Sequence, residues 1–350
     1  VRRRAAGCAA AALLLAGCTA RLSFSSGPVP PGPSPAPYRL TAGVVLYADR
    51  DWPLADTEAR GRQSIAWAAR VLHVSAVQIA WTYEVRGDRA STVDAAGPGT
   101  PPPADIGALT SIARSYGLQV TYRVLLRVPG RVEPLRPARP AGFLGSLLAA
   151  ERPYLALAQQ DHVAEFIAGT ERASIASSPR WAWFFAKAAG IYRGILSYAQ
   201  WGGEPGDGGF FYGDGHLMPV SEYGVTAYPN IALPATATVT DLTAAWEAFL
   251  SRVPAPVLHR TAIDEIGIPA AAGAYGRPWD WPGSGPPDDE VQARWFTAAC
   301  TAAAAEHMRG IWFWNINLAD DPAAPSPSPV KFENRPAAEA AIRSCTEGGR

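Results

Sequence analysis

Only four of the 350 residues are cysteine and only five are histidine. His73, His162, His216, His259 and His307 show no paired metal-ligand spacing, so neither a metal nor any other cofactor is expected. Charge of one sign is also missing. Lys plus Arg and Asp plus Glu both number 31, and the pI is near 7.1, which gives no electrostatic case for nucleic acid. The chain has no Gly-x-Ser-x-Gly elbow, P-loop or dinucleotide fingerprint in a strand-to-helix context. Its glycine-rich stretch, Gly202 to Gly215, contains Glu204, Asp207 and Asp214, which would repel phosphate. No repeat of 20 to 50 residues is evident. Metal, nucleotide and nucleic-acid chemistry are thereby set aside.

What is present begins with an N-terminal targeting pattern. Arg2, Arg3 and Arg4 precede the apolar stretch Ala5 to Ala16, which is too short to span a bilayer. It closes in Leu15-Ala16-Gly17-Cys18, which resembles a bacterial lipobox. Residues 1–17 read as a lipoprotein signal peptide with Cys18 as the lipidated residue. Residues 18–37, rich in Pro, Ser and Gly, read as a tether. The expected location is the extracellular face of the cell membrane, held by the lipid. Cys8 lies in the signal, which leaves Cys300 and Cys345 on helices flanking the last strand, either as a disulfide or as two buried thiols.

Residues 38–350 suit one (β/α)8 TIM barrel, because strand-like runs alternate with helical stretches. The expected strands are 43–47, 76–81, 120–126, 166–169, 194–199, 223–228, 259–263 and 310–315. Helices are expected over 55–72, 105–116, 155–165, 181–192, 241–251, 290–307 and 337–344.

Two of these strands deliver a glutamate to their C-terminal ends. Ile167-Ala168-Gly169-Thr170 leads to Glu171, and Ala262-Ile263-Asp264 leads to Glu265. That rim is where barrel enzymes place reacting groups. Strands four and seven oppose each other across a closed eight-stranded barrel. Two carboxyl groups about 5–5.5 Å apart are the machinery of a retaining glycosidase. Each glutamate alone would more plainly be the partner of a loop arginine; two in Gly-flanked motifs shift the reading toward catalysis.

The motifs Gly169-Thr170-Glu171, Ile191-Tyr192-Arg193-Gly194, Leu196-Ser197-Tyr198-Ala199, Tyr223 to Pro229, Asp264-Glu265-Ile266-Gly267 and Gly310-Ile311-Trp312-Phe313-Trp314 occur in consistent order. Together with Trp181, they make the chain resemble glycoside hydrolase family 113, whose characterised members are associated with β-mannan. The resemblance runs from about Gly43 to Ile342. It implies a (β/α)8 retaining hydrolase acting on a poly- or oligosaccharide, with Glu171 as general acid/base and Glu265 as nucleophile. It also implies that Tyr228 hydrogen-bonds the nucleophile, and that Thr170 stands where many relatives use Asn to hold a 2-hydroxyl. Trp312 or Trp314 is expected to floor the sugar site, and Trp201 to contact sugar. Trp279 and Trp281 are expected to shape the cleft edge or simply to pack.

Two departures accompany the resemblance. In Val120 to Arg127, Leu125 stands where the family is expected to carry a polar site residue. Strict alternation along strand seven is expected to turn Asp264 away from Glu265. The altered third strand motivates the alternative of a non-catalytic carbohydrate-binding or cell-envelope scaffold on a degenerate barrel. In either case the protein is expected to be a monomer.

Overall fold

The computed structural model describes residues 38–48, 52–128, 135–170, 175, 178–202 and 219–348. The signal, the tether, Cys18 and Glu171 all lie outside the described residues. From Tyr38 onward the chain forms one compact unit.

Eight strands close into a barrel in sequence order, each parallel to both neighbours. They are β1 (Thr41–Tyr47), β2 (Ala76–Glu84), β3 (Gln119–Arg127), β4 (Glu165–Thr170), β5 (Ile195–Gly202), β6 (Tyr223–Ala227), β7 (Thr261–Ile266) and β8 (Gly310–Asn317). The described helices are α1 (Leu54–Val71), α2 (Pro103–Ser115), α3 (Pro140–Gln160), α4 (Arg180–Ala189), α5 (Val239–Leu250), α6 (Ala255–Leu258), α7 (Asp289–Ala305) and α8 (Pro336–Gly348). This is the (β/α)8 barrel expected from the alternating pattern.

The strands are buried on both faces, so each sorts its side chains into two apolar groups. Val44, Leu46, Val77, Ile79, Ile263 and Phe313 point outward into the main core beneath the helices. Val45, Ala76, Ala80, Ala262, Trp312 and Trp314 form a separate cluster inside the barrel, with Tyr47 and Leu125 against it. Fully burying a large side chain of the outer group contributes roughly 1.5–3 kcal/mol, so the helix layer dominates stability and leaves the interior free for polar groups.

Local chemistry sets the helix ends. Thr238 and Asp241 form a reciprocal capping box at the start of α5, and Asp288 caps α7 through the Glu290 amide. Gly117, at φ +75°, takes the left-handed turn after α2 that a side chain would resist. Cys300 on α7 and Cys345 on α8 are joined as a disulfide. No helix among the described residues is long and apolar enough to cross a membrane.

The helix expected over 155–165 differs at both ends. It starts at Pro140, and Phe143, Leu144, Leu147, Leu148, Glu151, Tyr154, Leu155 and Ala158 make its buried stripe. Pro153 lies inside it. Proline cannot donate to the carbonyl one turn back, and packing of the apolar stripe outweighs the lost bond. At the other end Glu165 belongs to β4, because Ala164 already donates to Val120 O on the neighbouring strand. The seventh strand runs 261–266, displaced from 259–263 because the short helix α6 ends at Leu258 and His259 is its cap.

Candidate active site

The site starts from a break in strand regularity. Along β6–β7, Val225 pairs with Ile263 but Thr226 pairs with Glu265, which leaves Asp264 as the extra residue. Against β8 the register shifts again between Ile263 and Ile266. A bulge of this kind turns two consecutive side chains to one face. Glu265 therefore faces inward, and so does Asp264. The alternation expected to turn Asp264 away from Glu265 does not hold across the bulge.

Glu265 is held by two donors. Tyr228, just past β6, donates its hydroxyl to Oε1 at 2.7 Å. Arg123 on β3 meets Oε2 with Nη2 at 2.8 Å. The arginine side chain is 0% exposed and the glutamate 6%, so this is a buried ion pair. Such a pair is worth its desolvation only when the remaining donors are also satisfied. They are: Nη1 donates to Asp264 O at 3.0 Å and to Gln78 Oε1 at 3.4 Å. Nη2 reaches Thr226 Oγ1 at 3.1 Å, and Nε reaches Thr170 Oγ1 at 3.4 Å. One guanidinium thus ties β2, β3, β4, β6 and β7 together beneath the glutamate.

Arg123 is the residue that the motif reading missed. Leu125, two residues along on the same inward face, packs against the inner apolar cluster. The buried charged residue of the third strand is Arg123. A signal for it existed, because a lone arginine stands amid Val120, Tyr122, Val124 and Leu126 with the parity of inward residues.

The other expected residues divide into two groups. Tyr228, Trp201 and Trp314 gather around Glu265. Trp201 stacks on Tyr228 at 5.7 Å between ring centroids. Arg123 lies over the Trp314 ring at 5.9 Å, and Tyr47 and Trp281 flank that ring at 5.6 and 5.8 Å. Trp281 is 37% exposed, so it extends this aromatic floor to the surface. Trp312 lies deeper, its indole closing over the space left by Gly43 and Gly310. Thr170 is buried beside Arg123. Its hydroxyl donates to Val124 O at 3.1 Å and accepts from Arg123. Glu171, immediately after it, lies outside the described residues.

The rim beyond Tyr228 carries an open pocket of ≈ 550 Å³ lined by Asn230, Gly276, Arg277, Trp279 and Asp280. It sits on the loops that follow β6 and β7, where the Ile231 amide bonds to Tyr275 O. An indole face beside amide, guanidinium and carboxylate groups suits a sugar ring with its hydroxyls. No cluster of three His, Cys, Asp or Glu able to hold a metal occurs among the described residues.

Comparison with known proteins bears on the family and the fold. The model of Glycoside Hydrolase Family 113 matches residues 118–328. Among solved structures, a GH113 beta-1,4-mannanase in complex superposes with a TM-score of 0.71 at 16% identity, covering 89% of this chain and 99% of that one. The GH113 beta-mannanase AaManA from Alicyclobacillus acidocaldarius gives 0.68 at 15% identity, over 89% and 98%. GH5_18 from Streptomyces cattleya in complex with GlcNAc gives 0.57 at 15%, over 89% and 81%. At such identities the likeness is one of fold. No curated protein sequence matches the chain.

Proposed function

The chain belongs to glycoside hydrolase family 113, and from that premise we propose that it hydrolyses a β-1,4-linked mannan-type glycan with retention of anomeric configuration. The family makes it a glycoside hydrolase. The observation that carries the finer reading is the clamp on Glu265, a carboxylate fixed by Arg123 and Tyr228 at the C-terminal rim of β7. A nucleophile needs this arrangement, since a fixed orientation removes the entropy of finding the anomeric carbon. Glu171, which follows β4 in sequence, is the proposed general acid/base. It protonates the leaving oxygen while Glu265 forms the glycosyl ester, then draws a proton from the water that releases the sugar. Trp314 supplies an apolar floor, and the pocket at Trp279 takes a further sugar of the chain. The substrate proposal follows the two GH113 structures, both described as β-mannanases.

The test is a substrate screen of the purified protein on β-mannan, glucomannan, β-glucan, xylan and aryl glycosides, with Glu265→Ala beside it. Release of sugar from mannans that vanishes in the variant supports the reading, and activity that survives Glu265→Ala sinks it. Following the anomer of the first product by NMR separates retention from inversion. Trp279→Ala should raise KM on long chains and leave aryl glycosides untouched.

The working location proposed for this activity is the outer face of the membrane, with Cys18 lipidated and residues 18–37 as the tether. The Cys300–Cys345 disulfide is in keeping with an exported protein. Cys18→Ser should move the protein from the membrane fraction to the medium; unchanged membrane retention would count against the anchor.

A further inference from the structure

Toward its C-terminal end β8 breaks step as β7 does. Val44 pairs with Phe313 and Leu46 with Ile316, so Val45 stands opposite both Trp314 and Asn315. Phe313 and Ile316 lie in the outer core, whereas Val45 and Trp314 belong to the inner cluster. The bulge thus turns Asn315 to the inner face, beside Trp314. There the asparagine is 8% exposed. The Trp314 indole N–H is sealed from solvent and unpaired, so Trp314 offers a sugar its ring but no donor. The nearest polar complement in sequence is the amide of Asn315.

Lys331, in the connection from β8 to α8, holds this asparagine at two atoms. Its Nζ donates to the main-chain oxygen of Asn315 at 3.0 Å and to Oδ1 at 2.8 Å. Asp320 Oδ2 at 3.1 Å takes the remaining proton, with Glu333 at 3.9 Å. An ammonium only donates, so the amide oxygen of Asn315 must face the lysine and its NH2 group must face away. No described residue accepts from that Nδ2, and it is not among the unpaired polar atoms sealed from solvent. The lysine is itself anchored. Its carbonyl accepts from Arg335 Nε at 2.8 Å, and Arg335 also pairs with Asp289 at the start of α7.

We propose that Asn315 is a substrate-binding residue whose Nδ2 donates to a hydroxyl of the sugar lying on Trp314, and that Lys331 is the positioning residue that fixes the amide for it. The assignment rests on the proposed function, which puts a sugar on that floor. An indole face packs against a sugar ring turned in any direction about the ring normal. A fixed donor at its edge selects one of those directions, which is how a few polar groups set orientation in an apolar site. Holding the amide in advance spares the entropy of ordering a free side chain when the sugar arrives. Lys331 has no proton left for the substrate and therefore acts through Asn315.

The test is a double-mutant cycle on kcat/KM for soluble β-mannan, with Asn315→Ala, Lys331→Met and the two combined. Each single variant should lose about tenfold, as for one neutral hydrogen bond, and the pair should lose no more than either. Losses that multiply in the pair, or wild-type kcat/KM in either single variant, overturn the proposal. Should Lys331→Met fail to fold, Asn315→Ala decides alone. Should the wild type cleave no glycan, the proposed function fails on its own account and side-chain amide NMR takes over. The Asn315 NH2 signal, identified by its loss in Asn315→Ala, should shift when mannotriose is added to nitrogen-labelled wild type. A signal that stays in place overturns the proposal.

Discussion

The two sides of this barrel are built differently. On one side, β2 and β3 pair through nine consecutive residues, Ala76 with Gln119 to Glu84 with Arg127, without a shift, and β1 with β2 is equally regular. On the other side, β4–β5, β6–β7 and β7–β8 all slip register near their C-terminal ends, and so does β8–β1. The slips fall between Ile167 and Thr170, at Asp264–Glu265 and at Trp314–Asn315, next to the places where site residues leave the strands. The regular side supplies Arg123 as a fixed anchor, and the bulged side supplies the groups aimed at it. Period-two packing builds a barrel, and departure from it aims the chemistry.

The sharpest way to break this division is at its one crossing point. Arg123→Leu removes the guanidinium that joins five strands and strands the Glu265 carboxylate in a buried site. Losing one partner of a buried ion pair costs about 3–5 kcal/mol, so denaturant melts should show a loss of that order. Turnover should vanish even at temperatures where the variant is folded. Arg123→Lys keeps a charge but not the forked geometry, and should recover stability better than activity. Equal recovery of both would show that the arginine serves only as a structural tie.

Tyr228→Phe probes the bulged side alone. It removes one hydrogen bond to a charged group, worth about 1.5–3 kcal/mol, and leaves the Arg123 contact in place. If the tyrosine positions the nucleophile, kcat should fall by about one to two orders of magnitude with KM little changed. A rise in KM at constant kcat would instead make Tyr228 a substrate contact. Gly224→Ala forces a methyl group against the Asp264 carboxyl. Overpacking of this kind costs about 1–3 kcal/mol, and a melt unchanged from wild type would show that the carboxyl can move aside.

The division also explains what was legible in the sequence. The barrel and seven of its helices came through as apolar periodicity, since that pattern depends on burial alone. Tyr228 was expected as a partner of Glu265 through the family resemblance, and its hydroxyl does donate to that carboxylate. Asp264 was misplaced because alternation assumes an unbroken strand, and nothing in Ala262-Ile263-Asp264-Glu265 announces a bulge. Arg123 did not stand out because the family resemblance placed the polar position of the third strand at Leu125. Its importance depends on what β2, β4, β6 and β7 place around it, which only the closed barrel brings together. Helix α3 was expected to begin only at Leu155, although its apolar stripe starts at Phe143 and runs on past Pro153 to Ala158.

The smallest expected effect concerns a buried acid of the helix layer. Glu151 on α3 is fully buried beneath the helix layer, with neither carboxyl oxygen hydrogen-bonded. Burial alone raises its proton affinity well above the ordinary glutamate value. The folded state therefore keeps a proton that the unfolded chain gives up at the ordinary glutamate pKa. The stability linked to that proton is fully present below the unfolded pKa and is lost as pH rises toward the folded one. Between them stability falls by up to about 1.4 kcal/mol per pH unit. Glu151→Gln cannot ionise, so its stability relative to wild type should be lowest near about pH 4 and climb steadily on going to about pH 8. A difference that stays flat with pH would mean that Glu151 finds solvent or a cation in the native state. Activity should not follow this trend, because Glu151 belongs to the helix layer and not to the hydrogen-bonded group around Glu265.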